Sequence, residues 1–141
     1  MYVAPISTTD VGFGKQLWQA LRGNKQFPAS GALWLFSASK ESERRTGGVG
    51  GPGEWRLIIA SPRVDEVGRR KAYGELSEIT QRMSGAVSDQ LLRIVLISPK
   101  IPFYQALRSV FGQTASVEGA RLGNTQIGGM YIDDAYLYEI R

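Results

Sequence analysis

The 141-residue chain contains neither cysteine nor histidine. Without them there are no thiol nucleophiles, disulfide staples, Cys/His zinc sites, histidine haem ligands or Ser-His-Asp triads. Any reaction would have to run on carboxylates, lysine, arginine, tyrosine, serine or threonine. A hard cation such as Mg²⁺ would need carboxylate oxygens as ligands. Long apolar runs are missing as well. Stretches such as Ile94 to Ile97 are far too short to cross a bilayer, so no membrane association is expected. The first ten residues carry no basic segment followed by an apolar one, which leads us to expect a cytoplasmic protein.

What is present reads as one ordinary globular domain, large enough to bury about two thirds of its unfolded surface. Seventeen cations against thirteen anions give a net charge of +4. That balance suits nucleic acid, a nucleotide or an acidic protein partner, and equally a protein with no such ligand.

Periodicity places the elements. A first helix is expected over 11–22, with Ser7, Thr8, Thr9 and Asp10 as candidate caps, Phe13, Leu17, Ala20 and Leu21 at helical spacing, and Gly23-Asn24 after it. Strands follow over Ala32–Ser37 and Glu54–Ala60, separated by a Gly-rich segment at about 38–53 that reads as a flexible loop. A second helix is expected from Asp65 to Met83, with outer pairs Lys71–Glu75 and Glu78–Arg82, ended by Ser84-Gly85. A third strand runs over Leu91–Ser98. A third helix starts at Pro102, with Phe103, Leu107, Val110 and Phe111 inward. The remainder is β: Ser116–Leu122 and Thr125–Ile132 around a Gly123-Asn124 hairpin turn, then Ala135–Ile140. Asp133-Asp134 is either a further turn or a bulge in one long strand. The expected fold is a single α/β (α+β) domain, a mixed sheet of five to six strands with about three helices, in the order α-β-β-α-β-α-β-β.

One chemical phrase occurs twice. Leu57-Ile-Ile-Ala-Ser-Pro-Arg-Val64 and Ile94-Val-Leu-Ile-Ser-Pro-Lys-Ile101 each run from an apolar strand through Ser-Pro and a cation into a helical pattern. If the two strands are parallel neighbours, both turns lie at the sheet edge where open α/β sheets bind ligands. Ser61, Arg63, Arg69, Ser98 and Lys100 would then form an anion site beside helix N-termini, suited to a phosphate-containing ligand. The competing reading is structural: proline stops each strand, Asp65 caps the helix, and Arg69 to Lys71 is a solvated face.

The acids offer an alternative. Asp65 and Glu66 as Mg²⁺ ligands, with Lys100 as electrostatic stabiliser, would make a phosphodiesterase or nuclease. Two phosphate-loop lookalikes fail: Gly12-Phe13-Gly14-Lys15 lacks the spacing and the preceding strand, and Gly47 to Gly53 has no lysine and leads into a strand. Tyr136 and Tyr138, in a C-terminal segment read as a possible edge strand, are candidate interface anchors for self-association or a protein partner.

Ala32-Leu-Trp-Leu35, Glu54 to Pro62, Val64-Asp65, Gly68, Ala72-Tyr73 and Ile132 to Tyr138 together resemble a family of small bacterial proteins of no assigned function. The resemblance covers about Leu17 to Arg141. It implies a bacterial protein and brings no catalytic residues or cofactor. The Gly-rich stretch here is longer than its usual counterpart in that family. The function expected from all of this is a non-catalytic cytoplasmic accessory protein that binds a protein partner and a phosphate-containing ligand, with no cofactor. The Mg²⁺-dependent enzyme and a nucleic-acid-binding module using Arg69 to Lys71 stand as alternatives.

Overall fold

A computed structural model describes residues 5–46, 48–49, 52–83, 92–112 and 117–141. Five strands form one mixed sheet: β1 (Gly31–Phe36), β2 (Trp55–Ala60), β3 (Ile94–Ile97), β4 (Arg121–Ile127) and β5 (Met130–Ile140), in the order β3-β2-β1-β5-β4. Only β2 and β3 are parallel; β1 lies between β2 and β5, antiparallel to both, and β4 pairs antiparallel with β5. The helices are α1 (Thr8–Arg22), α2 (Lys40–Arg45), α3 (Arg63–Val67), α4 (Arg69–Gln81) and α5 (Pro102–Phe111). Ser84-Gly85, Leu91, Ser116 and three glycines of the Gly-rich stretch (Gly47, Gly50, Gly51) lie outside the described residues.

Strands β1, β2, β3 and β5 are buried on both faces, as near-continuous apolar strands require, whereas the polar edge strand β4 is largely exposed. On one face Ala32, Trp34, Leu57, Ile59 and Leu96 pack with Phe13, Leu17 and Leu21 of α1 and Ala72 and Leu76 of α4. On the other, Leu33, Leu35, Ile58, Ile97 and Leu137 pack with Phe103, Tyr104 and Leu107 of α5. Each fully buried aliphatic or aromatic side chain contributes about 1.5–3 kcal/mol, so these two layers supply the main driving force for folding. Val110, expected inward on α5, is instead exposed, because the inward stripe of that helix is completed by Phe103, Tyr104 and Leu107.

Several local expectations are corrected. Lys40–Arg45 is helical within the segment read as loop, capped by the Ser39 hydroxyl, which accepts from Ser42 N at 3.2 Å. The second helix begins at Arg63 and is broken at Gly68, whose φ of 86° is open to glycine and strained for other residues. Glu75 does not pair with Lys71 as spacing suggested; Arg63 takes it. The hairpin turns at Gly128-Gly129, not at Gly123-Asn124. Gly128 has φ 58°, and closing there puts Ile127 opposite Met130 against the α5 layer. Gly123-Asn124 instead lies inside β4, with Asn124 at φ 46° and its Oδ1 accepting from Tyr131 OH at 2.8 Å. Asp133-Asp134 is therefore no turn. Met130–Ile140 is one long strand, and it lies inside the sheet rather than at its edge.

The short edge strand β3 is closed off. Arg93 and Ile97 give their carbonyls to β2, so the backbone groups of Ile94 and Leu96 point outward. Tyr73 of α4 meets them: its hydroxyl accepts from Leu96 N at 2.8 Å and lies 3.5 Å from Ile94 O, removing a template for edge pairing.

A bulge in β5 fixes the first helix. Ala32 pairs with Glu139 and Leu33 with Leu137, leaving Tyr138 as the extra residue. Its hydroxyl accepts from Trp34 Nε1 at 3.0 Å and donates to Val11 O at 2.6 Å, while its ring lies against the α1 backbone at Gly14. A Cβ at Gly14 would come within 2.7 Å of the Tyr138 ring. Gly→Ala inside a helix ordinarily stabilises by about 1 kcal/mol. Here we expect Gly14→Ala to destabilise by about 1–3 kcal/mol through overpacking, read as a lower urea midpoint at unchanged m-value. A midpoint at or above wild type would remove the close approach from this account.

Candidate ligand-binding site

The parallel pairing of β2 with β3 sets Ser61 beside Ser98, as the repeated phrase predicts: Ala60 pairs with Ile97, and Ser61 N donates to Ile97 O at 3.0 Å. The two turns are built alike. Each serine hydroxyl accepts from the backbone N–H two residues on, Arg63 N and Lys100 N, both at 3.1 Å. Each also gives its proton away: Ser61 to Pro28 O, and Ser98 to Asp65 Oδ2 at 2.7 Å. Both serines are buried, and a buried hydroxyl without partners is costly, so these bonds close the turns and anchor α3 to the end of β3. Neither hydroxyl has a proton left for a ligand.

Arg63 is engaged as fully. Its Nε and Nη2 donate to Glu75 Oε1 and Oε2, both at 2.7 Å, and its Nη1 donates to Glu66 Oε2 at 3.1 Å. This paired, charge-assisted geometry is the strong form of the arginine–carboxylate contact. The hydrogen bond to Glu75, then that to Glu66, holds the guanidinium above its usual range, and the same bond holds the Glu75 carboxyl below its ordinary value. The acids proposed as metal ligands are thus divided: Asp65 receives Ser98, and Glu66 receives Arg63. Among the described residues no three acidic side chains gather where a metal ion would fit. Lys100 lies exposed beyond the second turn.

Arg69 has a different setting. It opens α4, whose N-cap is Gly68, with no side-chain cap and no acid in its first turn. Arg69, Arg70 and Lys71 therefore crowd the positive end of the helix dipole, where anions are favoured and each cation costs about 0.3–1 kcal/mol. No ion pair joins Arg69 to a described residue. It is instead the one charged side chain, among the described residues, on a cavity of 340 Å³. Val95 and Ile97 of β3, Ile101, Pro102 and Phe103 at the start of α5, and Met130 form most of the wall; Thr46, Gly48 and Val49 complete it. A larger cavity of 620 Å³ runs along α4 past Arg63, but Lys25, Arg63 and Arg82 there face Glu66, Glu75 and Glu78, which leaves no preferred sign of charge.

The proposed interface pair also divides. Tyr138 is 3% exposed and bonded within the core, so it presents nothing to a partner. Tyr136 is half-buried, its ring edge-on to Tyr138 at 5.4 Å. Of the predicted anion residues, then, Ser61, Arg63 and Ser98 come together as a structural network, and Arg69 stands at a cavity. Sequence reasoning missed the cavity itself. Its one legible signal was Gly68-Arg-Arg-Lys71, three cations where a helix start favours acids.

No family model, curated protein or solved structure matches the chain.

The Arg63–Glu75 pair generates a pH prediction. A carboxyl depressed below its ordinary value of 4.5 stabilises the fold above that value, and the stabilisation is lost as pH falls through the lower folded-state value. Glu75→Gln should therefore melt below wild type at pH 7, and the gap should close under acid, below 4.5. A gap that is absent at neutral pH, or constant down to strong acid, would contradict the pairing.

Proposed function

We propose that the protein is a small bacterial binding module, related to the uncharacterised family it resembles, whose ligand is an anion seated in the cavity between β3, the start of α5 and Arg69. One observation carries this reading. Among the described residues, the single charged side chain on a wall of mainly apolar side chains is a cation with no described counter-ion, at a helix start that lacks a side-chain cap and an acid. Sites for small ligands have this character: mostly apolar, with few polar groups that fix orientation. Departures from the local charge rules tend to fall at functional positions.

Binding without chemistry is favoured over the Mg²⁺-dependent enzyme because Asp65 and Glu66, the acids that reading needs, already serve Ser98 and Arg63. A protein partner fits the same module, with half-buried Tyr136 as the remaining candidate contact of the C-terminal strand. Nucleic acid has less support, since Arg70 and Lys71 share α4 with Glu75 and Glu78.

Calorimetry against a panel of phosphate monoesters and carboxylates tests the proposal. Arg69→Gln should weaken binding roughly 10- to 100-fold, the loss of one hydrogen bond to a charged group at about 1.5–3 kcal/mol, with little change in melting temperature. Arg63→Gln should lower the melting temperature and act on affinity only through it. Equal affinity in wild type and Arg69→Gln would contradict the assignment.

A further inference from the structure

The wall of the Arg69 cavity narrows the ligand class beyond "anion". We infer that the occupant is an amphipathic anion, a single carboxylate or phosphate head on an alkyl or aromatic body of about eight to ten carbons; this rests on the binding reading above and deepens it. Three observations support the step.

The first is the chemistry of the wall. Val95, Ile97, Ile101, Phe103 and Met130 offer no side-chain hydrogen bonds apart from the weak thioether, and the one hydroxyl among the described lining residues, on Thr46, gives its proton to Glu43 O at 2.8 Å. A sugar or a nucleobase edge buried there would lose its water partners and find few replacements, which a specific site does not tolerate. An alkyl chain or simple ring loses nothing.

The second is size. At ~30 Å³ per non-hydrogen atom, the share a water molecule takes in the liquid, 340 Å³ holds about eleven atoms. A mononucleotide is about twice that, whereas a medium-chain acid fits.

The third is charge. Arg69 supplies one cation, at a helix start with no side-chain cap, so one head group is matched and the rest of the ligand meets mainly apolar side chains. Carboxylate and phosphate heads satisfy the same donors, and only binding experiments separate them.

The experiment is a chain-length series on the intact protein by calorimetry, with butanoate, hexanoate, octanoate, decanoate and tetradecanoate below their micelle concentrations. Octyl phosphate, octanol, inorganic phosphate and adenosine monophosphate serve as further probes. Affinity should rise roughly 3- to 4-fold per added methylene as each is buried, then stop rising once the cavity is full, at about eight to ten carbons. Octanol should bind at least 10-fold more weakly than octanoate, and Arg69→Gln should erase that difference. Comparison of octanoate with octyl phosphate identifies the preferred head. Val95→Phe, which fills the cavity from β3, should abolish binding of the whole series; Met130→Phe does the same from β5 should the first variant fold poorly.

An affinity that keeps climbing to tetradecanoate would mean adsorption to open surface and overturn the inference. Binding of adenosine monophosphate or inorganic phosphate as tight as octanoate, lost in Arg69→Gln, would overturn the apolar body while leaving the anion reading in place. No binding by any probe would overturn both.

Discussion

The parallel pairing of β2 with β3 is the constraint on which the site region depends. Because the strands run side by side and stop together, at Ala60 opposite Ile97, two Ser-Pro turns must be accommodated at one sheet edge. The chain solves both turns in the same way, with a buried hydroxyl that accepts from the N–H two residues on and donates outward. The outward bonds differ, and that difference organises the surroundings. Ser61 holds the Pro28 segment ahead of β1, while Ser98 holds Asp65 and with it α3. From α3, Arg63 reaches twelve residues along to Glu75 and locks the angle of α4. Arg69, at the break between these helices, is left at the cavity beside β3.

The two arginines explain why a list of cations is a poor guide to a site. Arg63 and Arg69 sit six residues apart in one basic stretch, and sequence gives them equal standing. A partly buried guanidinium must be paired to be tolerable, and Arg63 meets this demand through two carboxylates. Arg69 is exposed, so solvent meets the demand and the side chain remains free to exchange water for a ligand. The structural role goes to the group that burial constrains, and the proposed binding role to the one it does not.

This also marks how far the sequence could be read. Strong, long-range periodicity made α1, the apolar strands and the Pro102 helix legible, and the duplicated phrase foretold adjacent parallel strand ends. Features set by competition between similar local signals were not legible. Gly123-Asn124 and Gly128-Gly129 are both good turn sequences, and only the packing of Ile127 under α5 selects the second. Glu75 had a suitable partner four residues away in Lys71, and a better one, Arg63, appeared only when Gly68 broke the helix. Tyr138 looked like a surface aromatic until the bulge in β5 turned its hydroxyl under α1, where it accepts from Trp34 Nε1 and donates to Val11 O. The cavity was invisible for the same reason: its wall is assembled from β3, α5 and β5, and no single segment carries its pattern.

The central claim is that Arg63 builds the fold while Arg69 meets the ligand, and arginine side-chain resonances report on both at once. In ¹⁵N-labelled protein titrated with octanoate, the Nε–Hε signal of Arg69 should move in a saturable manner, along with the amides of Ile101 and Phe103 on the cavity wall. The Nε–Hε signal of Arg63 should stay in place, protected from solvent exchange by Glu75. Movement of Arg63 and of the Ser61 and Ser98 turns, with Arg69 unchanged, would contradict the account.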